Sequence, residues 1–153
     1  MRAIEPWVER PLSTFVMEAS VRLTLIMTSS GQVIAQHGFA RSLDVMSAAA
    51  LGAGIVASAQ ELASTMGWPE FRLMVHQGDS NAHLLALINT PAGRWIGLVV
   101  FGRETKLGIV QFYFAQLVEQ LAAAAPRFSP PKEVLAVDFE NELNASLRSL
   151  FEP

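Results

Sequence analysis

Hydrophobic and polar residues follow two rhythms along this chain, and the changes of rhythm mark its elements. Val21, Leu23, Leu25 and Met27 alternate with Arg22, Thr24 and Thr28, the two-residue period of a strand. Ser29-Ser30-Gly31 can turn the chain tightly, and QVIAQH returns as a second strand. EFRLMVHQ reads as a third, with Phe71, Leu73 and Val75 on one face and Arg72, Met74 and His76 on the other, a mixture that suits an edge. AHLLALINT and RWIGLVVFG are apolar on both faces, as in mid-sheet strands covered on both sides, and Pro91-Ala92-Gly93 joins them.

The helical rhythm appears elsewhere. PLSTFVMEA predicts a short helix with Pro11 in its first turn and Leu12, Phe15 and Val16 on one side. A long helix is expected from a Ser42 cap to a stop near Gly67, with Pro69 beyond it. Lys106 to Ala125 repeats the pattern through Leu107, Val110, Phe114, Leu117 and Leu121. RFSPPKE, with Pro126, Pro130 and Pro131, reads as an extended connector. Asp138 then caps a terminal helix whose stripe is Phe139, Leu143, Leu147 and Leu150. The expected division is a lead-in over 1–10, a domain over 11–125, a linker over 126–137 and an amphipathic helix over 138–151. The two hairpins make an α+β fold, with a mainly antiparallel sheet and helices on both faces.

Within the long helix, the sixteen residues from Val45 to Gln60 carry no charge. Wound at 100° per residue, Ala48, Leu51, Ile55, Leu62 and Met66 form one stripe, and their size assigns them to the sheet. Met46, Ala50, Ala53, Ala57, Gln60 and Ser64 form the opposite one, small and uncharged. Alanine tolerates water, so an Ala-rich exposed face is one reading. Two interior glycines, each costing about 1 kcal/mol against alanine, favour the other: a polypeptide partner that approaches closely.

Composition agrees. Hydrophobic residues make up 51% and charged residues 16%, below the roughly 25% of an average soluble domain, so apolar surface is left over for a partner. A net charge of −3 without a basic run speaks against nucleic-acid binding. The absence of cysteine excludes thiol catalysis, disulfides and Cys-ligated zinc. The start lacks the apolar stretch of a signal peptide, and the uncharged run is shorter than a bilayer span, so a cytoplasmic protein without membrane insertion is expected.

The chemical motifs are sparse. Gly52-Ala53-Gly54 lies inside a helix and is no dinucleotide loop, and neither a P-loop nor a GxSxG elbow is present. His37, His76 and His83 are scattered, and a satisfied polar role outweighs a ligand role even for His76 and His83, which a hairpin can bring together. Asp44, Asp79 and Glu104 sit at element boundaries, where capping is usual. Arg41, Arg72 and Arg103 are candidate arginine fingers, with solvated surface as the commoner role for each. The expectation is no catalytic residue, no cofactor and no metal site.

With SSGQVIAQHG after the first strand, an Ala-rich helix ending QELAS, and KLGIV opening the next helix, residues 12–125 resemble the roadblock / dynein-light-chain family. FRLMVHQG and the terminal helix resemble its bacterial MglB-type branch more closely. The resemblance implies a three-layer domain: a five-stranded sheet, the long helix on one face and two helices on the other. It implies a homodimer joined through the long helix and the edge strand with Phe71, Arg72, Met74 and His76. It also implies a Ras-like MglA-type GTPase as partner, whose own catalytic residues the dimer repositions. The stripe Met46/Ala50/Ala53/Ala57/Gln60/Ser64 is expected to bind that partner. The terminal helix, through Phe139, Leu143, Leu147 and Leu150, docks either on the GTPase or on its own domain. A scaffold without a GTPase is the alternative.

Overall fold

A computed structural model describes residues 2–3, 5–40, 43–126 and 132–151, with the side chains of 2–3 and 132–140 excepted. The element order is β1 (Arg2–Ala3), α1 (Pro6–Ala19), β2 (Leu23–Met27), β3 (Val33–Gly38), α2 (Val45–Thr65), β4 (Leu73–Gln77), β5 (Asn81–Thr90), β6 (Gly93–Gly102), α3 (Leu107–Ala124) and α4 (Lys132–Phe151). The sheet order is β1-β3-β2-β6-β5-β4, and every pairing is antiparallel. Five of these strands are the expected ones. The sixth, β1, is a two-residue addition against β3.

The sheet has a helix layer on each side, and alternation along the strands feeds both. Ile26, Leu84, Ile88, Val99 and Phe101 pack with Leu12 and Phe15 of α1 and Val110, Phe114 and Leu117 of α3. Leu23, Leu25, Met27, Leu85, Ile96 and Leu98 turn the other way, beneath Ala49, Ala53 and Val56 of α2. β2 is buried along its whole length, because β3 and β6 flank it and a layer covers each face. Among the described residues β4 pairs only with β5, so its outer N–H and C=O groups form a free edge, in line with the mixed polarity of EFRLMVHQ.

Several boundaries differ from those expected. α1 starts at Pro6, not Pro11, so half of the expected lead-in is helix and Pro11 lies inside it. Either proline fits an early turn, where no intrahelical N–H bond is lost, and the earlier one takes the place. α4 starts at Lys132, inside the expected linker, so Asp138 is within the helix and not its cap. Ser42, the expected cap of α2, lies outside the described residues, as do Arg41 and the prolines at 130 and 131. The observed cap is Asp44: its Oδ1 accepts from the Ser47 N–H at 3.2 Å and its Oδ2 from the Ser47 hydroxyl at 2.7 Å. Those bonds, the hydroxyl first, hold the Asp44 carboxyl below its ordinary pKa.

The far end of α2 stops as foreseen. Gly67 takes a left-handed φ of +70°. Its N–H then donates to Ser64 and that of Trp68 to Ala63, which satisfies two of the last carbonyls. α2 is 21 residues long with Glu61 its only charge, so by length and composition it could cross a bilayer. Here it lies flat on the sheet, held by Ala49, Gly52, Ala53, Val56 and Ala63.

Candidate partner-binding site

The face that α2 turns to the sheet is not the large stripe expected from side-chain size. Its buried face is the small one: Ala49, Gly52, Ala53, Val56 and Ala63. The large residues expected against the sheet are outside, with Leu51 69% exposed, Leu62 54%, Met66 50% and Ile55 38%. The reason lies in the opposing surface. Leu23, Leu25, Met27, Leu85, Ile96 and Leu98 already fill the space above the sheet, so only a small-faced helix can come down onto them. Gly52 marks the closest approach: a Cβ there would stand 3.3 Å from Leu85 Cδ2 and 3.8 Å from Met27 Cε.

The expected partner stripe divides accordingly. Met46, Ala50, Ala57 and Ser64 are exposed and Gln60 is half-buried, but Ala53 is 6% exposed and belongs to the core. Ala53 leaves the candidate contact surface because it packs with Ala49 and Val56 in the core beneath α2.

The displaced large residues line an open groove of about 1030 Å³ between α2 and β4. Leu51, Ile55 and Leu62 form one wall, and Trp68, Phe71 and Leu73 form the other. Gly54 also borders it, and a Cβ there would meet nothing within 4 Å. Trp68 is 64% exposed and Leu73 45%. Burying one such side chain fully is worth roughly 1.5–3 kcal/mol, so the groove holds a large unused driving force for association. Charge is confined to its margin, where Glu70 pairs with Arg94 and Arg72 lies exposed.

The edge-strand residues fall on both faces. Phe71 precedes β4 and packs beside the α2 layer, whereas Val75 packs on the α1/α3 side, so the two do not share the face the sequence suggested. Met74 is half-buried and His76 exposed. Leu143, Leu147 and Leu150 of α4 are exposed, as is every residue from 141 to 151; the Phe139 side chain lies outside the described residues.

A second polar feature went unread in the sequence. Arg22, at the start of β2, donates from Nε to Glu104 Oε1 at 2.7 Å and also binds Asn81 Oδ1. It thereby ties the β6–α3 turn to the head of β5. The hydrogen bond from Arg22 holds the Glu104 carboxyl below its ordinary range. A pair separated by 82 positions leaves no local signal. Arg103 is exposed near this tie, and Arg72 lies on the groove margin. Among the described residues, no group of three or more His, Cys, Asp or Glu could hold a metal ion.

The fold has counterparts among known proteins. The family model for the Roadblock/LC7 domain matches residues 9–100. The chain belongs to the Roadblock/LC7 family. Solved roadblock relatives share its architecture at low identity. MglB of Myxococcus xanthus is 23% identical, with a TM-score of 0.72 over 78% of this chain and 95% of that one. The gliding protein MglB of Thermus thermophilus is 24% identical, with a TM-score of 0.69 over 82% and 95%. An MglB in a tetrameric arrangement is 23% identical, with a TM-score of 0.69 over 82% and 94%. Comparison with curated protein sequences finds no match. At these identities the likeness shows the roadblock fold.

Proposed function

We propose that this roadblock protein is a non-catalytic homodimer that regulates a small Ras-like GTPase of the MglA type by protein contact. One observation carries the reading: the apolar groove between α2 and β4 is continuous with the free edge of β4. A second copy fits both at once. Its β4 would pair with this edge and extend the sheet, while its own Leu51, Ile55 and Leu62 would meet the same residues here. Tetrameric arrangement of an MglB of the same fold supports self-association.

With the groove taken by the second copy, Met46, Ala50, Ala57 and Ser64 remain as a small-residue strip on α2. Small side chains let another backbone approach, and this strip is the proposed seat of the GTPase. Binding there would favour the hydrolysis-competent arrangement of the GTPase switch regions, a population shift that needs no group from this chain in the reaction. The exposed Leu143, Leu147 and Leu150 of α4 offer an accessory contact.

The test separates the two surfaces. Ala57→Arg should leave the dimer intact and abolish stimulation of GTP hydrolysis, because the new charge would be desolvated at the contact. Unchanged stimulation would remove the strip from the account. Failure to retain any Ras-like protein on the immobilised chain, in either nucleotide state, would favour the scaffold reading.

A further inference from the structure

The β4–β5 hairpin sets two histidines directly opposite each other. The register pairs His76 with His83, and their ring centroids lie 5.0 Å apart with the planes at 70°. His76 is exposed at the free edge of the sheet, and His83 is half-buried on the next strand. β5 is fixed in turn by a ten-residue register with β6, so the backbone beneath the pair is held on its inner side.

This is the geometry of a two-ligand chelate. Directly opposed residues of an antiparallel pair have Cβ atoms about 4.5–5.5 Å apart. Two nitrogens bound to one tetrahedral ion at about 2.0–2.1 Å stand roughly 3.3 Å from each other. The two rings, with centroids 5.0 Å apart, lie close to the separation such a chelate needs. The sequence reading allowed that a hairpin could bring these two together and favoured a satisfied polar role; the register now sets them directly opposite each other.

We propose that His76 and His83 form a bidentate site for a divalent transition ion that prefers imidazole, Cu²⁺ or Zn²⁺, with water or an outside donor completing its coordination. No third His, Cys, Asp or Glu joins them among the described residues, so the site is open and not a closed structural centre. Imidazole donors select copper, zinc and nickel over magnesium and calcium, and copper binds tightest of these. Metal binding requires neutral imidazoles. Burial first, and the neighbouring His76 second, hold His83 below the usual histidine pKa, which lessens proton competition at neutral pH. The inference goes beyond the GTPase reading and does not depend on it, since both ligands come from one chain.

The experiment is calorimetric titration of the full chain at pH 7.5 with Zn²⁺ alone and with Cu²⁺ alone. One ion per chain is expected, with Cu²⁺ the tighter. His76→Asn and His83→Asn should each weaken binding at least tenfold, and His37→Asn, on β3, should leave it unchanged. Circular dichroism verifies folding, and the exposed His76 supplies a valid variant even if His83→Asn fails to fold. No saturable binding, or equal affinity in wild type and His76→Asn, would overturn the site.

Discussion

The two long sides of α2 are made of the same apolar alphabet and do opposite things. One side, Ala49, Gly52, Ala53, Val56 and Ala63, is small and buried. The other, Leu51, Ile55, Leu62 and Met66, is large and faces solvent. Burial is decided by what the opposing surface leaves free. A sheet that presents Leu, Ile and Met upward accepts a helix by a small face, and the helix's bulky residues are left facing solvent.

The comparison can be broken most forcefully by placing the same charge on each side. Ala53→Arg would bury an unpaired cation against Leu85 and Leu98 and should destabilise the chain by roughly 3–5 kcal/mol. Leu51→Arg, on the exposed side, should change monomer stability by no more than about 0.5 kcal/mol. Urea denaturation at low protein concentration measures both. Equal losses would mean the faces have been assigned wrongly.

The two glycines sharpen the comparison on a smaller scale. Gly54→Ala, with nothing near its Cβ, should stabilise the helix by up to about 1 kcal/mol and raise the monomer's melting temperature by about 2–4 °C. Gly52→Ala should give no such gain, because the new methyl presses on Leu85 Cδ2 at 3.3 Å. Thermal melts of the two variants at low concentration should therefore diverge.

The smallest effect is titration. Burial is the leading cause that holds both His37 and His83 below the usual histidine pKa. A group whose folded pKa is depressed stabilises the fold above its unfolded value, about 6.5, and that contribution is lost as pH falls. The melting temperature should drop modestly between pH 7.5 and pH 5.5, and His37→Asn with His83→Asn should flatten that slope.

The strands were legible because alternation and apolar runs are local: Val21 to Met27 and the doubly apolar β5 and β6 needed no tertiary knowledge, although Thr24, read as the polar side of its strand, is fully buried. The stop of α2 was legible because Gly67 supplies a backbone state that few residues adopt. The facing of α2 was not, since it depends on side-chain volume on β2, β5 and β6, residues distant in sequence. The start of α1 was ambiguous between two prolines with the same local fitness. The Arg22–Glu104 tie and the His76–His83 encounter are products of register, which periodicity alone does not number. The edge position of β4 was readable, as was the exposure of Met46, Ala50, Ala57 and Ser64, whereas Leu51 and Leu62 were assigned to the sheet and Trp68 was not read at all.

The most direct test of the central claim, that the α2–β4 groove is a protein interface, is sedimentation equilibrium of the wild-type chain beside Leu62→Arg. The account predicts twice the 16.7 kDa chain mass for the wild type and the single mass for the variant, with the same circular dichroism spectrum. A wild-type chain that stays at 16.7 kDa at high concentration, or a variant that remains paired, would contradict it.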